Sequence, residues 1–205
     1  MPNTIFTELD PEKQNRVVDA ALREFAENGY VGGNTNRIVT ECGISKGSLF
    51  KYFENKEELY FYLIDTVNAQ RLKDMKAEIN RLSKDLFERA IDYSLAEISW
   101  YINNPVKGRF IIGVASESDP EISRKITERY AKKSDDEFMT LMKDVDMSGF
   151  RSSRKEVVNI LKWTLAGVNS TFLKNMEGKT DDLDKIRKEY VKQLKGYLKI
   201  LERGL

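Results

Sequence analysis

The 205-residue chain carries 34 Lys and Arg against 33 Asp and Glu, so its net charge of +1 does not make it a general binder of polyanions. It has no histidine and a single cysteine, so it lacks the usual general base, the commonest metal ligand and any internal disulfide. We therefore expect no enzyme activity, no metal and no cofactor, and we expect a cytoplasmic protein, because no signal-peptide pattern and no membrane-spanning run is present.

The first predicted helix begins at Pro11, with Asp10 as its N-cap, and ends at Asn28-Gly29. Its apolar residues recur at i, i+3, i+4 and i+7, which assigns this helix to the core scaffold. Gly32-Gly33 then leads into the next helix, for which Asn34 is a suitable N-cap.

Residues 35–53 predict two short helices around a tight turn. Gly43 lies where the first helix must stop, because glycine enters the left-handed region without steric cost. Ser45 follows as the N-cap of the second helix. Cys42, inside the first helix, is predicted to be a small buried hydrophobe and not a redox sensor.

The second of these helices has an apolar side and a polar side. The residues predicted to face inward are Leu49, Phe50 and Phe53. Those left outward are Lys46, Ser48, Lys51 and Tyr52. A short basic helix with hydroxyl groups is typical of the element that a helix-turn-helix places in the major groove.

Helical patterns without strand-like alternation continue to the end of the chain, which predicts an all-α fold of nine helices. Asn55 caps the next one, and Glu177-Gly178 separates the last two. The predicted spans after residue 54 are 55–79, 83–103, 106–116, 119–144, 152–177 and 181–203.

The last two predicted helices carry more apolar surface than one chain of this size can cover. Residues 157–173 are apolar on nearly every side, so this helix must be covered all round. The stripe of the last helix comprises Leu183, Ile186, Tyr190, Leu194, Tyr197 and Leu201. We expect a homodimer, with the alternative that both helices are simply monomer core.

Taken together, these segments resemble the TetR family of transcriptional regulators. The resemblance is carried by residues 18–30, 38–53 and 55–59, roughly the first third of the chain. It implies a TetR-like two-domain architecture, with a three-helix helix-turn-helix domain at 1–54 and a ligand-sensing and dimerisation domain at 55–205. The implied function is a repressor that binds palindromic operator DNA as a homodimer, through its last two helices, and is released by a small apolar or aromatic effector.

The resemblance also implies which residues touch DNA. Lys56 and Tyr52 are expected to contact phosphates, and Gly47 lets the helix approach the duplex closely. The full set is Asn34, Thr35, Lys46, Gly47, Ser48, Phe50, Lys51, Tyr52 and Lys56. The second helix presents no Arg, Asn or Gln, so the operator sequence cannot be derived from it.

The effector is expected to lie among aromatic side chains of the C-terminal two-thirds, with a few polar groups to orient it. The residues assigned to this site are Tyr93, Trp100, Arg109, Phe110, Tyr130, Phe138, Trp163 and Asn169. Core packing is the alternative explanation for most of the aromatic ones.

A second hypothesis is a helical ligand-binding or interaction protein that no longer reads DNA. Its support is two departures from the family pattern. Gly32-Gly33 stands where the family usually has Ala-Thr, and Phe50 replaces a common tyrosine.

Overall fold

The computed structural model describes residues 2–175 and 183–204, and the side chains of residues 2–172 and 188–202. This part of the chain is helical and contains no strand. Its helices are α1 (Thr4–Thr7), α2 (Pro11–Gly32), α3 (Thr35–Cys42), α4 (Lys46–Tyr52), α5 (Lys56–Asp74), α6 (Lys76–Ile79), α7 (Leu86–Asn103), α8 (Pro105–Ala115), α9 (Pro120–Leu141), α10 (Arg154–Asn175) and α11 (Leu183–Gly204). The all-α prediction is confirmed. The structure adds the short helix α1 and divides the predicted helix 55–79 into α5 and α6, with Met75 between them.

Polar caps start the helices where the sequence placed them. Oδ1 of Asp10, of Asn55 and of Asp119 accepts a hydrogen bond from a backbone N–H two or three residues on, at 2.9, 2.8 and 3.0 Å. Each cap satisfies an amide that has no partner inside its helix. The predicted break at Glu177-Gly178 lies outside the described residues, as do the side chains of Leu183 and Ile186.

Residues 2–73 and 101–128 form one compact unit, in which α2 packs against α3 and α8. At its centre the Tyr60 ring meets the rings of Phe25 and Phe110, with centroids 5.1 and 5.4 Å apart. All three rings are buried, and the contacts are edge-to-face, a favourable arrangement for aromatic pairs. This core supports the α3–α4 pair.

Helix α1 closes the end of α4, and the sequence analysis did not predict it. Phe6 is fully buried and packs on Phe53 and Tyr62 at centroid distances of 4.8 and 5.6 Å. The backbone N–H of Asn3 donates to the carbonyl of Tyr52 at 2.9 Å. The first residues are therefore part of the helix-turn-helix core.

Residues 74–100, 129–175 and 183–204 belong to the second compact unit. Its core contains Met142 and Val157, both fully buried. Arg154 donates from Nη1 to the Met142 carbonyl at 2.9 Å and from Nη2 to the Val145 carbonyl at 3.0 Å. These bonds satisfy backbone acceptors just past the end of α9. The functional boundary between residues 54 and 55 stays a prediction.

Candidate nucleic-acid interface

Helices α3 and α4 form a helix-turn-helix with the predicted turn chemistry. Gly43 ends α3 in the left-handed region, at φ 69° and ψ 35°. Ser45 Oγ accepts from the backbone N–H of Ser48 at 3.0 Å and caps α4. Cys42 is buried, as predicted, and burial raises the pKa of its thiol, so it is a packing residue in its protonated form.

The buried side of α4 is narrower than the sequence pattern suggested. Leu49 and Phe53, four residues apart, are each only 1% exposed. Phe50 is 40% exposed, because successive helical residues are about 100° apart and Phe50 follows Leu49 directly. The prediction that Phe50 faces inward was wrong.

The outward face of α4 consists of Lys46, Gly47, Phe50 and Lys51, all exposed; we call it the α4 face. Helix α4 contains no acidic residue. Neither of its lysines forms a salt bridge within the described residues, so both ammonium groups are available to an outside anion. The α4 face is therefore a small basic surface with a phenyl ring at its centre.

Gly47 leaves open space on this face. A Cβ added there would meet nothing closer than Ser45 Oγ, at 3.8 Å. No contact inside the fold therefore requires glycine at this position.

Ser48 and Tyr52, which were also predicted to contact DNA, each interact with a residue of the protein itself. Ser48 shares a hydrogen bond with the Ser45 hydroxyl, with the two Oγ atoms 2.8 Å apart. The half-buried ring of Tyr52 packs on Phe6 at 5.7 Å.

The start of α3 is held by a buried carboxylate that the sequence analysis missed. Glu24 is 6% exposed, and its Oε1 accepts from the backbone N–H of Asn34 at 2.9 Å. Asn34 Oδ1 in turn accepts from the backbone N–H of Asn36 at 2.8 Å, and Thr35, the first residue of α3, is half-buried. Asn34 and Thr35 thus have a fixed position at the amino end of α3.

Arg37 is the charged partner of Glu24. Its Nε lies 3.0 and 2.9 Å from the two carboxylate oxygens, and its Nη2 also donates to the Gly32 carbonyl at 2.8 Å. The hydrogen bonds from Arg37 lower the pKa of Glu24 and outweigh the opposing effect of burial. One signal of this site was in the sequence, since Glu24 continues the inward spacing of Val17 and Ala20 along α2.

Lys56 is turned toward the protein. Its Nζ donates to the carbonyls of Tyr30 and Gly33 at 2.9 and 3.3 Å, and it lies 4.3 Å from the centre of the Tyr30 ring. The two hydrogen bonds cap carbonyls at the end of α2, and the contact with the ring is a cation–π interaction. We expected Lys56 to point outward to a DNA phosphate. In the structure its ammonium group instead hydrogen-bonds to carbonyls of the turn before α3.

The glycines of that turn have structural reasons. Gly29 has φ 64°, a conformation that favours glycine, and interrupts α2 where the sequence predicted its end. A Cβ on Gly33 would lie 2.5 Å from ring atoms of Phe25. Gly33, one of the two glycines that depart from the family pattern, is therefore required for α2 and the following turn to pack.

Comparisons with known proteins agree with this geometry. Residues 17–63, from α2 into α5, match the family model described as bacterial regulatory proteins, tetR family. Residues 17–63 are therefore assigned to the TetR family of bacterial regulatory proteins. The Fatty acid metabolism regulator protein of Bacillus subtilis is 31% identical over 67 residues, which are 33% of this chain and 34% of that protein. The chain therefore spans about a third of the length of this curated relative.

Two solved structures resemble the chain over most of its length. A TetR family transcriptional regulator from Chloroflexus aurantiacus has a TM-score of 0.65 at 22% identity, covering 100% of this chain and 98% of that one. The transcriptional regulator FadR from Bacillus subtilis, in complex with stearoyl-CoA, has a TM-score of 0.65 at 18% identity, covering 87% and 96%. At these identities the likeness shows a shared fold.

The residues predicted to bind an effector are distributed over both compact units of the protein. Arg109 and Phe110 belong to the first unit, where Phe110 is core. Trp163 is 69% exposed on α10, so the prediction that it lines an interior site needs correction. Trp100 is buried and donates from Nε1 to Asp74 Oδ2 at 3.0 Å.

Three other residues predicted to bind the effector, Tyr93, Phe138 and Asn169, lie near Glu97 of α7. The Tyr93 hydroxyl donates to Glu97 Oε1 at 3.0 Å, and Asn169 Nδ2 donates to Oε2 at 3.1 Å. The buried Tyr190 hydroxyl donates to Asn169 Oδ1, and burial raises the pKa of Tyr190. Phe138 packs on the Tyr93 ring at 6.1 Å. The second unit thus contains a hydrogen-bonded series of polar side chains with aromatic rings beside it. The ring centre of Tyr130 lies 5.4 Å from the Arg129 guanidinium.

No helix within the described residues is long and apolar enough to cross a membrane. These residues also contain no group of three His, Cys, Asp or Glu side chains placed to hold a metal ion.

Proposed function

We propose that this chain is a transcriptional repressor that binds a palindromic operator as a homodimer and leaves it when a small apolar or aromatic effector binds. The observation that carries the proposal is the α4 face, with Lys46 and Lys51 exposed and unpaired on a helix that lacks acidic residues. Lysines in such a place neutralise phosphates and release counterions from the duplex. A dimer seated on an operator then blocks access of RNA polymerase to the promoter.

The homodimer is supported by exposed apolar residues on the last two helices. Trp163 on α10 and Ile200 on α11 are each 69% exposed, and Tyr197 is 45% exposed. A second copy covering them removes this surface from water, at about 25 cal/mol per Å². Leu194, by contrast, is fully buried within one chain and belongs to the monomer core. We therefore assign the dimer interface to the outer sides of α10 and α11.

The effector is the least specified part of the proposal. The FadR relative with the same fold holds stearoyl-CoA, which supports an effector with a long apolar portion. The group around Glu97 supplies tyrosine and asparagine side chains that can orient a polar end. We propose that the effector lies in the second unit, near Tyr93, Phe138 and Asn169.

The alternative is a helical binding protein that no longer reads DNA, and both of its arguments are weakened. A Cβ on Gly33 would lie 2.5 Å from ring atoms of Phe25, so packing explains this glycine. Phe50 lies outward on the α4 face, where its ring can reach DNA without the hydroxyl of the tyrosine that it replaces.

The test starts by selecting bound duplexes from a randomised DNA pool with the full-length protein. We expect two inverted half-sites with centres about one helical turn, roughly 34–36 Å, apart. Their affinity should fall steeply as salt concentration rises. A pool that enriches no sequence, together with salt-independent binding, would leave the helical binding protein as the better description.

The effector is tested by screening acyl-CoA thioesters and aromatic compounds against the selected duplex. Linkage requires the compound to weaken DNA binding by the same factor by which DNA weakens binding of the compound. Equal affinity for the compound with and without duplex would remove the sensing role and leave DNA binding intact.

A further inference from the structure

Phe50 is an apolar ring at the centre of a basic face. It is 40% exposed, lies one helical turn after Lys46 and is followed by Lys51. No aromatic ring in the described residues stacks on it, and its neighbours Leu49 and Phe53 fill the core without it. The exposed part of the Phe50 ring is therefore available to an outside partner.

The chemistry of a phenyl ring limits what Phe50 can contact on DNA. It has no donor or acceptor, so it can neither hydrogen-bond a phosphate nor read the polar edge of a base. The apolar group that a base pair presents in the major groove is the C5-methyl of thymine. Gly47, three residues earlier on the same face, leaves room for a base edge to approach beside the ring.

From this arrangement we propose that Phe50 is the specificity-determining residue of α4, and that it reads the methyl group of a thymine in each half-site. The inference rests on the proposed DNA-binding function and adds a base to it. Lys46 and Lys51 position the helix through phosphates or purine acceptors on either side, while Phe50 selects thymine by burying its methyl.

Uracil substitution tests this contact, because deoxyuridine differs from thymidine by that methyl alone. Each thymine of the selected duplex is replaced in turn, in both half-sites, and the dissociation constant is measured by fluorescence anisotropy. We expect one symmetric position at which the loss is about fourfold per half-site, the effect of about 0.8 kcal/mol for one buried carbon. At thymines elsewhere the substitution should change little.

The assignment to Phe50 comes from variants measured on the same duplexes. With Phe50→Ala, thymine and uracil duplexes should bind equally, and Phe50→Leu should restore part of the preference. Lys51→Ala is the matched control: it should weaken both duplexes while keeping their ratio. Thermal melting should show that Phe50→Ala folds like the parent, since the ring lies at the surface.

Two results would overturn the inference. One is a selected duplex in which no thymine methyl matters. The other is a methyl effect of the same size in Phe50→Ala, which would assign the contact to another residue. In both cases the duplex is still selected, so DNA binding stands; failure of the selection itself counts against the proposed function instead.

Discussion

The guanidinium group of Arg37 hydrogen-bonds to the Glu24 carboxylate, with Nε 3.0 and 2.9 Å from the two oxygen atoms. The pair joins the buried side of α2 to the outer side of α3, and the same carboxylate accepts from the backbone N–H of Asn34. The position of the first turn of α3 therefore depends on one ion pair, of which the acid is buried and the base half-exposed.

Removing Arg37 should destabilise the protein more than removing the pair. Arg37→Met leaves the Glu24 carboxylate buried without its charged partner, and a buried charge that has lost its partner is destabilising. The double variant Glu24→Leu/Arg37→Met should recover much of this loss, because an apolar pair can replace a buried ion pair. Urea denaturation measures both free energies of unfolding; equal losses in the two variants would contradict the argument.

The same pair predicts a pH dependence of stability. Because the folded-state pKa of Glu24 is lowered, chiefly by Arg37, its contribution is fully present above the unfolded-state pKa of about 4.3 and is lost as pH falls through the folded-state pKa below it. Glu24→Gln should be less stable than the parent at pH 7, and this difference should shrink below pH of about 4. Exposed Glu27→Gln is the control; a Glu24→Gln difference that stays constant from pH 7 to pH 3 would exclude this linkage.

Gly47→Ala should separate folding from DNA binding. The new methyl meets open space in the free protein, and alanine favours the helix over glycine by up to about 1 kcal/mol, so the melting temperature should stay or rise. In the complex the methyl should press against the duplex and weaken binding about five- to a hundredfold. Unchanged affinity for the selected duplex would mean that this side of α4 does not lie close to DNA.

Charge placed on the outer side of α10 should prevent dimerisation. Trp163→Glu buries an unpaired carboxylate in the proposed interface, which should raise the dimer dissociation constant at least about a hundredfold. Analytical ultracentrifugation over a range of concentrations measures this constant. Lys155→Glu, an exposed change near the start of α10, is the control; a Trp163→Glu dimer as tight as the parent would place the interface elsewhere.

The helices and their caps could be predicted from the sequence because the signals are local. The cap at Asn55 and the left-handed Gly43 each depend on residues within one turn. The register of α4 was less certain, since three apolar residues within five positions do not show which of them lies outward. Only packing against α1 and α3 places Phe50 at the surface.

The interactions that fix the interface could not be predicted, because they join residues distant in sequence. Lys56 contacts carbonyls 23 and 26 residues earlier, and a lysine next to a basic helix has the same local pattern whether it points to DNA or to the protein. Phe6 likewise becomes core only because α4 ends beside it. Trp163 shows the converse case, since an apolar residue in an apolar helix can lie on the outer surface.

The salt dependence of operator binding tests the central claim that the α4 face holds DNA. The association constant of the selected duplex is measured at several salt concentrations for the parent, Lys46→Ala, Lys51→Ala and Lys56→Met. Each phosphate contact that is lost should reduce the slope of log K against log salt by about 0.9, hence by about 1.8 for a dimer that loses one contact in each half-site. We predict this reduction for Lys51→Ala. Lys46→Ala should reduce the slope to the extent that Lys46 contacts a phosphate and not a purine. Lys56→Met should leave the slope unchanged, because Lys56 contacts carbonyls of the protein. Parental slopes and affinities in both Lys46→Ala and Lys51→Ala would contradict the account.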